Sequence, residues 1–476
     1  MAGTKDILLG SIRSGGSLSL GQQVKLCLIL SYPAILAQLS SVMMQYIDAS
    51  MVGHLGAEAG ASIGLVSTCL WLFGGFGMAV TSGFSVQVAH RIGANDFEGA
   101  RSILRQALVC GMGFSLFLAT VGMIIAPFLP YWLGGGEDIA PDAASYFFIM
   151  ALFMPAMQLD WMCAAILQAS GNMKVPSILS IGMCVMDVAF NYLFIYVLDM
   201  GVSGAALGSG LAEIITGIAM FSFLAFRSPE LNLRHEKGSF RPTAPVVKKA
   251  LGISGPMALQ NILMRGGYIA STVIVAPLGT IAIAANSFAI TAESFCYMPG
   301  YGIADASTTL VGQSIGAGRK PLAQRFAWIT CFLGMGIMGF LAILMYAFAP
   351  QMMGLLSPDG DVIALGARVL RIEAFAELGY AASIVAYGAC VGAGDTRWPS
   401  MMNFGSMWLV RIIPAIFLTR IYGLVGFWIC MAVELTIRGL LFLLRLHRGK
   451  WLSAAFPSKP YLVGGQQVPE NKDVTV

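Results

Sequence analysis

The sequence predicts an all-α polytopic membrane protein, with twelve transmembrane helices in two homologous six-helix lobes around a central cleft. Three observations carry that expectation. The chain of 476 residues is 57% hydrophobic and only 11% charged, whereas soluble domains carry about 25% charged residues. Too little charge is present to coat a soluble surface of this size, so the surplus apolar surface must face lipid. Apolar runs long enough to cross a bilayer recur twelve times, and the two halves of the chain are copies of one another.

A helix needs about 20 mostly apolar residues to cross the hydrocarbon layer. The runs lie near 27–52, 62–88, 103–131, 141–168, 175–198, 201–226, 247–277, 280–312, 325–350, 364–391, 398–421 and 423–446. The longer ones imply tilt or continuation past the bilayer. Residues 1–26 are mixed polar, with Lys5, Arg13 and Lys25, and lack an apolar core followed by a small-residue cleavage site. No cleaved signal is expected, and the first span directs insertion.

Lys and Arg in short loops set orientation. The even-numbered connections are basic: Arg91 and Arg101, then Lys174, then Arg227, Arg234, Lys237, Arg241, Lys248 and Lys249, then Arg319, Lys320 and Arg325, then Arg397. Odd-numbered connections carry Glu58, then Glu137, Asp138 and Asp142, then Asp199, then Asp359 and Asp361. Both termini are therefore expected on the cytoplasmic side of a cell inner (plasma) membrane. The expected organisation is a cytoplasmic N-terminal segment 1–26, a lobe 27–226, a cytoplasmic linker 227–248, a second lobe 249–446 and a cytoplasmic tail 447–476, polar from 451 and without fixed structure.

A shift of 223 residues aligns the halves without a gap from Pro33 to Ser177. Pro33 meets Pro256, Leu55-Gly56 meets Leu278-Gly279, and Ile92-Gly93-Ala94 meets Ile315-Gly316-Ala317. Gly171 meets Gly394, and Pro176-Ser177 meets Pro399-Ser400. Each copy holds six spans, an even number, so the copies share one orientation and an axis along the membrane normal. Two such lobes across a cleft form a transporter layout, with sites near the bilayer midplane.

Other classes are disfavoured. The net charge of +4 is spread over short clusters between apolar runs, so no nucleic-acid face is expected. Nine cysteines lie in or beside apolar runs with no CxxC pair, and they act as small apolar residues. The four histidines, His54, His90, His235 and His447, sit at loops or span ends, which removes a His relay or His metal site. No nucleophile elbow or His/Asp cluster suggests an enzyme, and no cofactor is implied. The expected partners are a small-molecule substrate and the bilayer, with the chain monomeric.

Charges inside the membrane cost roughly 2.5–3.5 kcal/mol each on insertion scales, so each needs a reason. The first lobe offers Asp48, Asp160, Asp187 and Glu213, with no intramembrane Lys or Arg; the second offers Arg265, Glu293, Asp305, Glu373, Glu377, Arg411, Glu434 and Arg438. Asp187 and Asn191, four apart, share a helix face. With Asp48 they form hard-oxygen chemistry suited to Na⁺, or to one proton shared by two carboxylates that cannot both ionise cheaply. The duplicate positions are Ser271, Val410 and Pro414, so one principal cation site is expected, in the first lobe. In the second lobe the three arginines can pair with Glu293, Asp305, Glu377 or Glu434. Glu373 and Glu377 share a face, and Glu293 and Glu377 can face the cleft to draw in a cationic substrate. Prolines inside spans remove a helical hydrogen bond and mark bends; Pro33, near the cation site, is the candidate gate.

Several motifs together resemble the multidrug and toxic compound extrusion (MATE) family. They are Pro33…Gln38…Asp48…Met51-Val52-Gly53, Val88…Ile92-Gly93-Ala94, Gln168-Ala169-Ser170-Gly171-Asn172…Pro176, Asn191-Tyr192-Leu193-Phe194-Ile195 with Gly201-Val202-Ser203-Gly204-Ala205-Ala206, and Val311-Gly312-Gln313…Gly316. The resemblance spans about 25–450. It implies Na⁺- or H⁺-driven antiport of organic, often cationic and aromatic, compounds. It implies a cation site at Asp48, Asp187, Asn191 and Ser209, with the Asp and Asn of the fifth span exchanged in order. The family's acid in span 7 is replaced here by Met264 beside Arg265, and its acid in span 10 falls near Tyr380, one turn after Glu377. Gln38, Arg265, Glu293, Glu377 and Tyr380 are the substrate-cleft candidates. The alternative is a flippase or exporter of a lipid-linked or anionic metabolite, with Arg265 and Arg411 meeting the head group; a passive channel is disfavoured by the two-lobe layout.

Overall fold

The structure is a computed structural model that describes residues 3–234 and 238–453. His235 and Lys237 of the linker, and the tail beyond Ser453, lie outside the described residues. The helices are α1 (Thr4–Arg13), α2 (Leu20–Gly53), α3 (Ala57–Gly93), α4 (Phe97–Ile125), a single turn α5 (Leu129–Trp132), α6 (Ala140–Ala169), α7 (Lys174–Tyr192), α8 (Gly201–Phe226), α9 (Ala244–Val275), α10 (Thr280–Gly316), α11 (Lys320–Leu356), α12 (Gly360–Glu373), α13 (Glu377–Gly392), α14 (Arg397–Gly405) and α15 (Ile413–Arg448). No strand occurs among the described residues.

Local chemistry sets their ends. The Ser19 hydroxyl accepts from Gln22 N, and the Gln22 side chain accepts from Ser19 N at 2.9 Å, a reciprocal cap that starts α2. Asp96 caps α4 through Gly99 N at 2.8 Å. The turns between α2 and α3 and between α9 and α10 pass through Gly56 (φ 118°) and Gly279 (φ 93°), the same position in each repeat.

By length and composition ten helices can cross a membrane, or eleven if α12 and α13, bent by 59° at their junction, form one span. The stretch Arg397–Arg448 qualifies as a single run of 52 residues. Residues 23 apart on a straight helix would sit about 34 Å apart, yet Arg411 Nη2 lies 2.6 Å from Glu434 Oε2. The run therefore doubles back, at Gly423 (φ 60°, ψ −144°), and the expected spans 398–421 and 423–446 are its two arms. The break in α11 falls at Phe348, just before Pro350, a bend not singled out from the sequence. Pro33, Pro155, Pro256 and Pro299 lie inside helices that run on through them.

Helices α2–α8 pack into one lobe and α9–α15 into another, joined by α2 against α10 and α3 against α9 and α10. The joint repeats the duplication. A Cβ on Gly93 would overlap the backbone carbonyl of Gln313, and a Cβ on Gly316 would overlap that of His90; 93 and 316, like 90 and 313, differ by 223. The two glycines let α3 and α10 touch backbone to backbone at the basic-loop end. His90 Nε2 pairs with Gly392 O at 2.9 Å, Gln313 Nε2 donates to Ala169 O at 2.8 Å, and Thr309 Oγ1 donates to Gln168 O at 3.0 Å. Asn261 Nδ2 donates to Gly75 O at 2.8 Å near mid-span. Among the described residues the lobes share no hydrogen bond beyond Asn261 toward the acidic-loop end; α2 and α10 still meet there through Tyr46 and Phe295, ring centroids 5.4 Å apart, so the cleft opens that way between α3 and α9.

The N-terminal segment is more ordered than its polar composition suggests. Helix α1 lies across the basic-loop end, with Leu8, Leu9 and Ile12 buried among Leu26 and Leu30 of the first lobe and Leu310, Leu322 and Phe326 of the second. Arg319 of the second lobe donates to Ser11 O at 3.0 Å, while Arg13 donates to Ser170 O of the first at 3.3 Å. Burial lowers the Arg13 pKa from its ordinary value, and Glu230 opposes that shift. The tail also begins inside the fold: Trp451 is fully buried in the core of the second lobe.

Replacing Gly93 with Val is expected to pry this end open. Overpacking a tight contact costs about 1–3 kcal/mol, so the closed arrangement should lose roughly tenfold in population. Maleimide labelling of Cys27, buried where α1 and the two lobes meet, mapped by peptide mass, should rise accordingly; unchanged labelling would mean the helices part elsewhere.

Candidate cation site and interlobe cleft

Four residues named from the sequence converge in the first lobe. Asp48 comes from α2, Asp187 and Asn191 from α7, and Ser209 from α8. Asn191 Nδ2 donates to Asp48 Oδ1 at 3.0 Å and to Asp187 Oδ2 at 3.1 Å, so one amide ties the two carboxylates. The Ser209 hydroxyl lies beside Asp187. Asp187 and Asn191 are 2% and 1% exposed, and Asp48 is half-buried. Neither acid has an ion-pair partner among the described residues.

The backbone is shaped for this. A Cβ on Gly208 would overlap Asn191 Oδ1, so only glycine lets α8 come close enough to α7. Directly after Asn191 the chain takes a π-helical turn, Leu193–Val197, a distortion that recurs at functional sites. Asn191 Oδ1 is buried with no donor among the described residues. That oxygen, two carboxylates and a hydroxyl form the donor set that hard cations prefer. No group of three or more His, Cys, Asp or Glu placed to hold a metal occurs among the described residues; two acids are completed here by an amide and an alcohol.

Sequence reasoning missed Tyr146 of α6, which lies near both Asp48 and Asp187. Only its being a polar ring in an apolar run marked it. Asp160 of α6 and Glu213 of α8 lie near each other, each with a buried oxygen lacking a hydrogen-bond partner among the described residues.

The second lobe departs further from expectation. Arg411 and Arg438 both converge on Glu434, with Arg411 Nε at 3.1 Å, Arg438 Nη2 at 2.9 Å and Arg438 Nε at 2.8 Å. Arg411 belongs to a π-helical segment, Ser406–Ile412, that turns it inward. Glu373 closes α12 and Glu377 opens α13 on either side of a 59° bend, yet their carboxyls lie near each other and near Glu293; both are fully buried, and the Cys296 thiol lies beside Glu377. Glu293 is also buried, so Glu293 and Glu377 sit within the lobe and not on an open cleft wall. Gln38 lies beside Asp305, the Tyr380 ring packs tilted against Tyr297 with centroids 5.4 Å apart, and Arg265 lies over Trp71 of the opposite lobe at 5.6 Å. A surface pocket of about 570 Å³ lies elsewhere, between the α12–α13 bend and α15, and is lined by Tyr346, Arg371, Phe375, Ile429 and Val433.

The MatE family model matches residues 33–193 and again 256–417, two matches whose starts are 223 residues apart. The chain belongs to the MatE family. This MatE transporter is 25% identical over 431 residues to a Thermotoga maritima protein described as a probable multidrug resistance protein, NorM, covering 89% of this chain and 92% of that one. It is 23% identical over 430 residues to a Bacillus subtilis transporter, YisQ, covering 89% and 94%. Its fold matches the Vibrio cholerae MATE transporter VcmN in the bent form, with a TM-score of 0.83, 18% identity and coverage of 91% and 98%.

Proposed function

We propose that this MatE transporter is a cation-coupled antiporter. It exports small organic compounds, cationic or amphiphilic, across the cell inner membrane, with both termini cytoplasmic. Asp48, Asp187, Asn191 and Ser209 hold the coupling ion, Na⁺ or H⁺. The observation that carries this reading is the pair of carboxylates from α2 and α7, one buried and one half-buried, tied by one amide and without an ion-pair partner among the described residues. Such a pair repels itself unless a proton or a metal cation sits between.

Helix α2 links the ion to the cleft, because it packs on α7 at the site and on α10 of the other lobe. Ion binding draws Asp48 toward Asp187, and Pro33, where a helical hydrogen bond is missing, lets α2 flex in response. Gln38, Arg265 and Tyr380 are the residues through which the cleft and the second lobe meet substrate, while the buried Glu293 and Glu377 act from within the second lobe.

Efflux of a fluorescent organic compound from proteoliposomes, under an imposed Na⁺ gradient and separately an imposed pH gradient, tests the proposal. Efflux driven by one gradient supports it and names the ion; a wild-type protein that moves substrate equally without either gradient overturns it. Gly208→Ala is a finer probe. Its methyl displaces Asn191, costing about 1–3 kcal/mol, so the ion concentration for half-maximal efflux should rise roughly tenfold while the fold persists.

A further inference from the structure

We propose that Arg265 is an anion subsite on the floor of the cleft, so that the substrates of this transporter include aromatic compounds carrying a carboxylate. The inference rests on the cleft being the substrate path. Arg265 lies one helical turn from Asn261, and Trp71 one turn from Gly75; the Asn261–Gly75 hydrogen bond is the last described contact of its kind between the lobes. Arg265 and Trp71 are therefore the first residues on the open side of the joint.

The surroundings specify the ligand. The Arg265 guanidinium sits 5.6 Å from the Trp71 ring centroid and 5.8 Å from that of Tyr268, and Tyr301 is nearby. All three rings are exposed. Unlike Arg411 and Arg438, Arg265 has no carboxylate partner among the described residues. Its own duplicate position is Val42, so the charge belongs to one lobe only. A membrane arginine without an acid is held by ring faces and leaves its forked donors for a ligand. A planar aromatic acid fits: its ring stacks on Trp71, Tyr268 or Tyr301, and its carboxylate takes two parallel N–H bonds. A purely cationic compound meets repulsion at this point.

The test uses the full chain in detergent, with fluorescein as the aromatic anion and ethidium as the aromatic cation, both followed by fluorescence anisotropy. Arg265→Gln should weaken fluorescein binding about tenfold or more and leave ethidium binding unchanged or tighter, which also shows that the variant is folded. Arg265→Lys, which keeps the charge but not the fork, should fall between. Equal weakening of both probes would make Arg265 a packing residue and overturn the proposal, as would a wild type that binds ethidium but not fluorescein. The same probes in proteoliposomes separate the two readings. Arg265-dependent binding without gradient-driven movement would leave the subsite standing and remove the antiporter.

Discussion

Asp48→Asn is expected to reduce gradient-driven efflux to the rate of empty liposomes. The substitution is nearly isosteric. The new amide oxygen can still accept from Asn191 Nδ2, which now holds Asp48 Oδ1 at 3.0 Å, so α2 and α7 should stay packed. What disappears is one of two charges that have no cationic neighbour. With a single carboxylate the site no longer has repulsion for an ion to relieve, and binding no longer draws α2 toward α7. Binding of substrate in detergent should survive, because the cleft residues lie elsewhere. The decisive comparison is efflux of wild type and Asp48→Asn under the driving gradient, with binding as the control. Undiminished efflux in the variant would remove Asp48 from the coupling mechanism.

The largest loss of stability is expected from Glu434→Gln. One fully buried carboxylate serves two guanidinium groups, from Arg411 and Arg438. Neutralising it leaves two cations facing each other in an apolar lobe, and breaking a buried pair by removing one partner costs roughly 3–5 kcal/mol. The thermal melt in detergent should drop sharply. Replacing all three members with apolar residues (Arg411→Met, Arg438→Met, Glu434→Leu) removes the uncompensated charge and should recover most of the loss, as buried ionic triads elsewhere can be exchanged for hydrophobic packing. A triple variant as unstable as Glu434→Gln would indicate that the triad holds the hairpin by geometry and not merely by charge balance.

These two sites differ in how legible they are in the amino-acid sequence. Asp48, Asp187 and Asn191 mark themselves by residue type and spacing, and Ser209 follows from the family resemblance. A carboxylate in an apolar run is rare, and a spacing of four places Asp187 and Asn191 on one face. The helix between them is unbroken, so the periodic argument holds. Glu373 and Glu377, also four apart, lie near each other as well, but across a 59° bend that the spacing does not reveal. The glycine contact at the basic-loop end is half visible. The duplication pairs Gly93 with Gly316, but that each lies on the other's helix, against residues 313 and 90, is a fact of packing.

What the sequence by itself determined is what local composition and repetition encode: an all-helical membrane chain, its duplication, and the acids and arginines that cannot face lipid. These follow from hydrophobic partition and helical period, which act on neighbouring residues. What only the tertiary structure decided is which of those charges meet. Glu434 takes two arginines, Arg265 meets no carboxylate among the described residues, Asn191 joins Asp48 to Asp187, and α1, part of a mixed polar segment in the sequence, lies across both lobes. Such pairings join residues tens to hundreds of positions apart. They depend on small-residue contacts, π-helical turns and a glycine hairpin, whose effect is set by the approach of whole helices and not by the residues beside them.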